Sequence, residues 1–320
     1  MNGLTMRRTA TIHPDAARVV EKIAELERDV KPPVLIAQMR LMMKERTRQL
    51  ALDPPVVGRI VDQSIEGNGS AVWVRIYYPE SKGAAPLPAL IYCHGGGFVI
   101  GDLDMVETIC RTICRESRIV VVSVQYRLAP EHPFPCGLED TLAVISGIKR
   151  SGLGLGIDVT RLAVGGDSAG GNLAAVAAQE MGAFLRFQLL VYPVTDLTGS
   201  QPSYRDLGTG FPLTAEKMRW YVTQYLTDPA QAQARRASPL MAASLVGQPP
   251  ALVVVAGLDP LVDEGLAYAA RLREAGVKVE VVEIEYFPHG FLGWTRYCKA
   301  ARDVLRLIAN RLEMSLHGSG

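Results

Sequence analysis

One serine in this chain sits among four glycines, in the run Gly165, Gly166, Asp167, Ser168, Ala169, Gly170, Gly171. An apolar run, 162–164, precedes it, and an alanine-rich helical stretch, 172–180, follows it. Gly166-x-Ser168-x-Gly170 in that setting reads strand, sharp turn, helix: a nucleophile elbow. Flanking residues without bulk let strand and helix approach closely, and the turn holds the serine in a strained backbone conformation. The hydroxyl is then presented at the surface of the turn, with the N–H of Ala169 aimed at the same spot. The chemistry predicted is acyl transfer.

A serine hydroxyl is a weak nucleophile until a base takes its proton and an acid orients the base. Around such an elbow, the acid and then the histidine follow the serine along the chain. Of the five histidines, His13, His94, His132, His289 and His317, only the last two come after Ser168. His317 belongs to a Gly-Ser-Gly terminus expected to be a flexible tail, 314–320. His289 lies between Pro288 and Gly290 directly after an apolar run, and it is the expected base. The run 252–256 leads into Gly257, Leu258, Asp259 and Pro260, which puts Asp259 at the carboxyl end of a strand, where α/β sheets carry their sites. Asp263 is the alternative acid. Together with Glu264, it is expected to open the next helix, where carboxylates favour the positive end of the dipole. Further donors for an oxyanion come from His94-Gly95-Gly96-Gly97-Phe98 after the run 89–93, since consecutive glycines let peptide N–H groups turn inward. His94 is expected to brace that loop.

Something must hold these loops in register. Short apolar runs at 89–93, 119–124, 162–164, 187–191, 252–256 and 279–284 alternate with helical patterns near 104–116, 137–150, 170–181, 264–275 and 295–313. That alternation indicates a mostly parallel sheet covered by helices on both faces. Before it come two helical stretches, 15–29 and 34–52, and an alternating strand around Val72, Val74 and Ile76. A loop and helix at 198–226 interrupt the alternation. Gly152-Leu-Gly154-Leu-Gly156 resembles a dinucleotide loop, but it precedes a strand where such a loop must follow one.

Bulk composition narrows the classes. The 320 residues carry a net charge of +1, with basic residues spread along the chain, so nucleic acid and anionic membrane surfaces are not expected partners. No apolar run is long enough to span a bilayer, and the first fourteen residues lack the apolar core of a secretion signal. Five cysteines without paired spacing suggest reduced thiols and a cytoplasmic setting, and Cys110-x-x-x-Cys114 reads as helix packing. No cluster of metal ligands is evident.

Five motifs in order carry a resemblance. They are His94-Gly95-Gly96-Gly97; Tyr126-Arg127-Leu128-Ala129-Pro130-Glu131; Gly166-Asp167-Ser168-Ala169-Gly170-Gly171-Asn172-Leu173; Asp259-Pro260-Leu261-Val262-Asp263-Glu264-Gly265; and His289-Gly290-Phe291. Across about residues 70–313, the chain resembles the hormone-sensitive-lipase-like esterases, the bacterial family IV group, in their Gly-Asp-Ser-Ala-Gly form. The resemblance implies an α/β-hydrolase fold, with a helical cap made from residues 1–52 and the insertion at 198–226, and a catalytic domain over 53–313. It implies hydrolysis of short- to medium-chain carboxylic esters without a cofactor, and oxyanion donors at Gly96, Gly97 and Ala169. Val262 departs from the pattern, since members often carry Arg there. Relatives often pair through the last strand, so a homodimer through a sheet edge at 279–284 is expected. Two other readings fit the same fold: an amidase or peptidase, and a ligand-binding relative without catalysis. Such receptor-like relatives lose the histidine, and no propeller domain of the kind expected in a peptidase precedes the hydrolase.

Overall fold

A computed structural model describes residues 11–28, 35–67, 71–80 and 86–318. The first ten residues, read above for a leader, lie outside them. Eight strands form one sheet: β1 Arg59–Glu66, β2 Ala71–Tyr78, β3 Leu87–Cys93, β4 Val120–Val124, β5 Ile157–Asp167, β6 Phe187–Val191, β7 Ala251–Leu258 and β8 Val279–Pro288. Their spatial order is β1-β2-β4-β3-β5-β6-β7-β8. β2 runs antiparallel to β1 and β4, and the other neighbours are parallel.

The inner strands are apolar on both faces because both faces are covered. Along β3, Ala89, Ile91 and Cys93 enter one core while Leu90 and Tyr92 enter the other. β7 splits the same way, Val253 and Val255 against Leu252, Val254 and Ala256. Period-two alternation thus divides each strand between two apolar layers. One layer is closed by α4 Cys136–Ser151, α5 Ala169–Met181 and α8 Val262–Glu274. The other is closed by α1 Pro14–Glu27, α3 Glu107–Ser117 and α9 Lys299–His317. Cys110 and Cys114 are wholly buried in this second layer, where burial pushes the Cys114 thiol up to about 12. All five cysteines are free.

The remaining helices are α2 Ile36–Leu50 and, between β6 and β7, α6 Pro202–Asp206 and α7 Ala215–Tyr225. The insertion therefore holds two helices where one was expected. The carboxyl end needs a correction too. Residues 314–317 are not a flexible tail but the last turn of α9, and Leu316 is buried there against the sheet's second layer. Two further differences concern strands. β1 was not expected, and β5 begins at Ile157, with the glycines at 152–156 forming a short turn before it. Val262 is buried at the start of α8. Among the described residues, no helix is long and apolar enough to cross a membrane.

Candidate active site

The carboxyl ends of five parallel strands converge: β3 leads into His94, β5 into Ser168, β6 into Tyr192, β7 into Asp259, and β8 into His289. Ser168 stands between β5 and α5 with φ 57° and ψ −120°, a left-handed conformation costing on the order of 1–3 kcal/mol. Three backbone hydrogen bonds hold it. Its N–H donates to Val191 at 2.9 Å, and its carbonyl accepts from Asn172 and Val194, each at 3.1 Å. The two elbow glycines are spatial requirements. A Cβ on Gly166 would sit 2.5 Å from the Gly170 backbone, and one on Gly170 would collide with the Cys93 carbonyl. β3, β5 and α5 meet there with no room for a side chain.

The serine hydroxyl lies 2.9 Å from Nε2 of His289, and His289 Nδ1 lies 2.6 Å from Oδ2 of Asp259. Asp259 is fully buried, and its Oδ1 accepts the Leu261 N–H at 2.9 Å. A buried carboxylate so placed can only accept, so Nδ1 carries the proton and Nε2 offers its lone pair to the serine. Tyr192 lies against the imidazole, ring centroids 4.6 Å apart. Asp263 turns elsewhere: its Oδ2 accepts the Ser203 N–H at 2.9 Å, in α6.

Gly96 and Gly97 adopt φ of 120° and 60°. Among the described residues, their N–H groups find no hydrogen-bond acceptor. Ala169 opens α5, where the first N–H groups of a helix have no partner within it. A Cβ on Gly97 would also strike the ring of Tyr221, which α7 lays over this loop. Beneath the loop, Asp167 Oδ1 accepts both the Tyr92 hydroxyl at 2.8 Å and the Gly95 N–H at 3.1 Å. Burial raises the Asp167 pKa, offset in part by those donors. His94 is buried and stacked on Tyr126, with Nδ1 2.8 Å from the Gly95 carbonyl. Burial pushes its pKa down to about 4, so the ring is neutral and braces the loop from below.

Glu264 opens α8 as the sequence indicates, but its burial was not foreseen. It is fully buried, and Oε1 accepts the Thr195 and Asp196 N–H groups at 2.7 and 3.2 Å. Burial holds its pKa well above the ordinary carboxyl value. The folded state therefore keeps a proton that the unfolded state gives up, so stability falls as pH rises above the unfolded carboxyl range. Glu264→Gln, which keeps an acceptor in the same place, should remove that slope. Thermal denaturation between pH 5 and pH 9 should show the variant gaining on the parent as pH rises. A constant difference would contradict the protonated reading.

Above these groups opens a cavity of about 1020 Å³ lined by Gly96, Gly97, Ser168 and His289 below and by residues of α1, α2 and α7 above. Arg40 of α2 donates to the Val99 carbonyl at 3.0 Å and to both carboxylate oxygens of Glu131, tying that helix to the glycine loop. His13, ahead of α1, stacks its ring on Phe287 at 4.9 Å, and its backbone N–H donates to the Tyr286 carbonyl at 3.0 Å, in the strand that leads to His289. Among the described residues, no group of three or more His, Cys, Asp or Glu side chains is placed to hold a metal ion.

A strand-ordered sheet with an elbow serine, a late histidine and a glycine loop defines an α/β hydrolase. The family model described as alpha/beta hydrolase fold matches residues 90–293, and the chain belongs to that family, in its hormone-sensitive-lipase-like branch. It is 44% identical over 252 residues to the carboxylic ester hydrolase LipN of Mycobacterium tuberculosis, spanning 75% of this chain and 66% of that one. It is 37% identical to ethyl acetate hydrolase of Pseudomonas putida, over 78% of this chain and 80% of that one. Among solved structures, the hyperthermophilic esterase of the archaeon Pyrobaculum calidifontis is 35% identical and superposes with a TM-score of 0.88, covering 95% of this chain and 98% of that one.

Proposed function

We propose that this carboxylic ester hydrolase acts through a Ser168–His289–Asp259 triad on small-molecule esters with short- to medium-chain acyl groups. Ser168 attacks the ester carbonyl while His289 Nε2 takes its proton and Asp259 holds the imidazole. The N–H groups of Gly96, Gly97 and Ala169 receive the oxyanion, each worth on the order of 3 kcal/mol of barrier. His289 then protonates the departing alcohol, and water repeats the sequence on the acyl-enzyme. The observation that carries this reading is the continuous chain from Asp259 to the Ser168 hydroxyl, at 2.6 and 2.9 Å, opening into the cavity beside the unpaired Gly96 and Gly97 N–H groups.

Residues 1–52 and the 198–226 insertion form the cap in this reading, since α1, α2 and α7 supply the upper cavity wall. The edge position of β8 supports pairing of two copies there.

One kinetic series tests activity and cap together. p-Nitrophenyl esters from acetate to palmitate should be hydrolysed, with the specificity constant highest below about ten acyl carbons and the matching anilide far slower. Removal of residues 1–45 should raise the Michaelis constant and flatten that profile. Turnover of the anilide at the ester's rate would favour the amidase reading. An unchanged profile in the shortened protein would show that this segment is not a cap.

A further inference from the structure

Five glycines line the cavity: Gly95, Gly96, Gly97, Gly290 and Gly293. Four have local reasons to be glycine. A Cβ on Gly95 would collide with the Asp167 carboxylate. Gly96, Gly97 and Gly290 have φ of 120°, 60° and 83°, which side chains rarely tolerate. Gly293 has neither reason. Its φ lies outside the left-handed region, and apart from its immediate chain neighbours no heavy atom lies within 4 Å of where its Cβ would stand. It closes the short turn Phe291–Gly293 that follows His289, half-buried and facing the cavity. The neighbouring wall is fixed. Trp294 is buried, and the Arg296 N–H donates to the Leu50 carbonyl at 3.0 Å, pinning the end of α2 to this loop.

The direction of proton transfer says which part of an ester lies here. The leaving oxygen must come within about 3 Å of His289 Nε2 to be protonated, so the carbon chain behind it extends along the His289 loop. The acyl chain leaves the same carbonyl on another side. We propose that Gly293 is a specificity-determining residue that keeps open the pocket for the alcohol group, admitting esters of bulky secondary and cyclic alcohols. This rests on the esterase reading. The absent side chain is the device: the space around a Cβ at 293 is open, and Gly293 belongs to the cavity lining, so in this proposal a side chain there takes room the alcohol needs.

The test is Gly293→Leu, with Gly293→Ala as the milder variant, both first checked for an unchanged thermal midpoint. Two ester series are measured by pH-stat. One varies the alcohol, ethyl against cyclohexyl and menthyl acetate, and the other varies the acyl chain, ethyl acetate to ethyl octanoate. Gly293→Leu should lower the cyclohexyl-to-ethyl ratio of kcat/KM about 10-fold or more, with Gly293→Ala between it and the parent and the acyl profile of both unchanged. A shift in the acyl profile with the alcohol ratio intact would overturn the assignment, as would a uniform loss across both series. If the Leu variant does not fold, the Ala variant decides on the same ratio. A parent protein inert on every ester of both series would overturn the esterase reading itself.

Discussion

Ser168→Ala should fold as the parent does and lose turnover by about 10⁵-fold or more, because the members of a triad act as a unit. The fold tolerates the change for a specific reason. The strained backbone at 168 is held by bonds from its own N–H and carbonyl, to Val191, Asn172 and Val194, and none involves the hydroxyl. Alanine meets the same left-handed φ at the same cost. The Oγ instead bonds to His289 Nε2, so its removal deletes the nucleophile and leaves the base in place. An organophosphonate should therefore label Ser168 in the parent and nothing in the variant, read by intact mass and peptide mapping. Ser123 offers no rival, being fully buried in β4. Labelling at Ser146 of α4 with Ser168 untouched would refute the assignment.

Asp259→Asn should lower kcat by roughly 10⁴-fold, and Asp263→Asn by no more than a few-fold. The buried surroundings dictate the orientation of the new amide. The Leu261 N–H needs an acceptor at the Oδ1 position, so the amide oxygen stays there and the NH₂ faces His289 Nδ1. Nδ1 must then accept, the ring proton moves to Nε2, and the base can no longer take a proton from Ser168. At position 263, the carboxylate receives the Ser203 N–H, a duty an amide oxygen also performs. Equal melting temperatures with kcat values some four decades apart would carry the result. The reverse order of effects would make Asp263 the triad acid.

Much of this site is legible in the sequence because its parts are local. The glycines at 166 and 170 flank the serine in a recognisable pattern, although the contact they permit is with Cys93 of β3, and chain order narrows five histidines to His289 and His317, of which His289 follows an apolar run. What spacing does not disclose is what tertiary packing decides. β1 was missed because, of its eight residues, Ile65 alone is buried, so an outer strand paired only to β2 carries almost no apolar signal. The last turn of α9 was missed because polar residues flank Leu316, which packs on a layer built elsewhere in the chain. Glu264 sits where a helix-opening carboxylate belongs, yet it points inward to two N–H groups about seventy residues away. Gly293 reads as an ordinary loop glycine until the cavity beside it is seen.

One carboxyl ties the two halves of the site together. Asp167 precedes the nucleophile and also receives the Gly95 N–H that opens the glycine loop, while Tyr92 fixes it from within β3. The residue beside Ser168 and the start of the glycine loop are thereby joined through one side chain, with no ester present. In water, solvent dipoles must reorient as charge builds on the carbonyl oxygen, and that reorganisation is part of the barrier. In the proposed mechanism, the N–H groups of Gly96, Gly97 and Ala169 would meet that charge without such a reorientation. Loosening the Asp167 tie while leaving the triad intact would return some of that reorientation to the reaction itself, as a slower acylation step at unchanged substrate affinity.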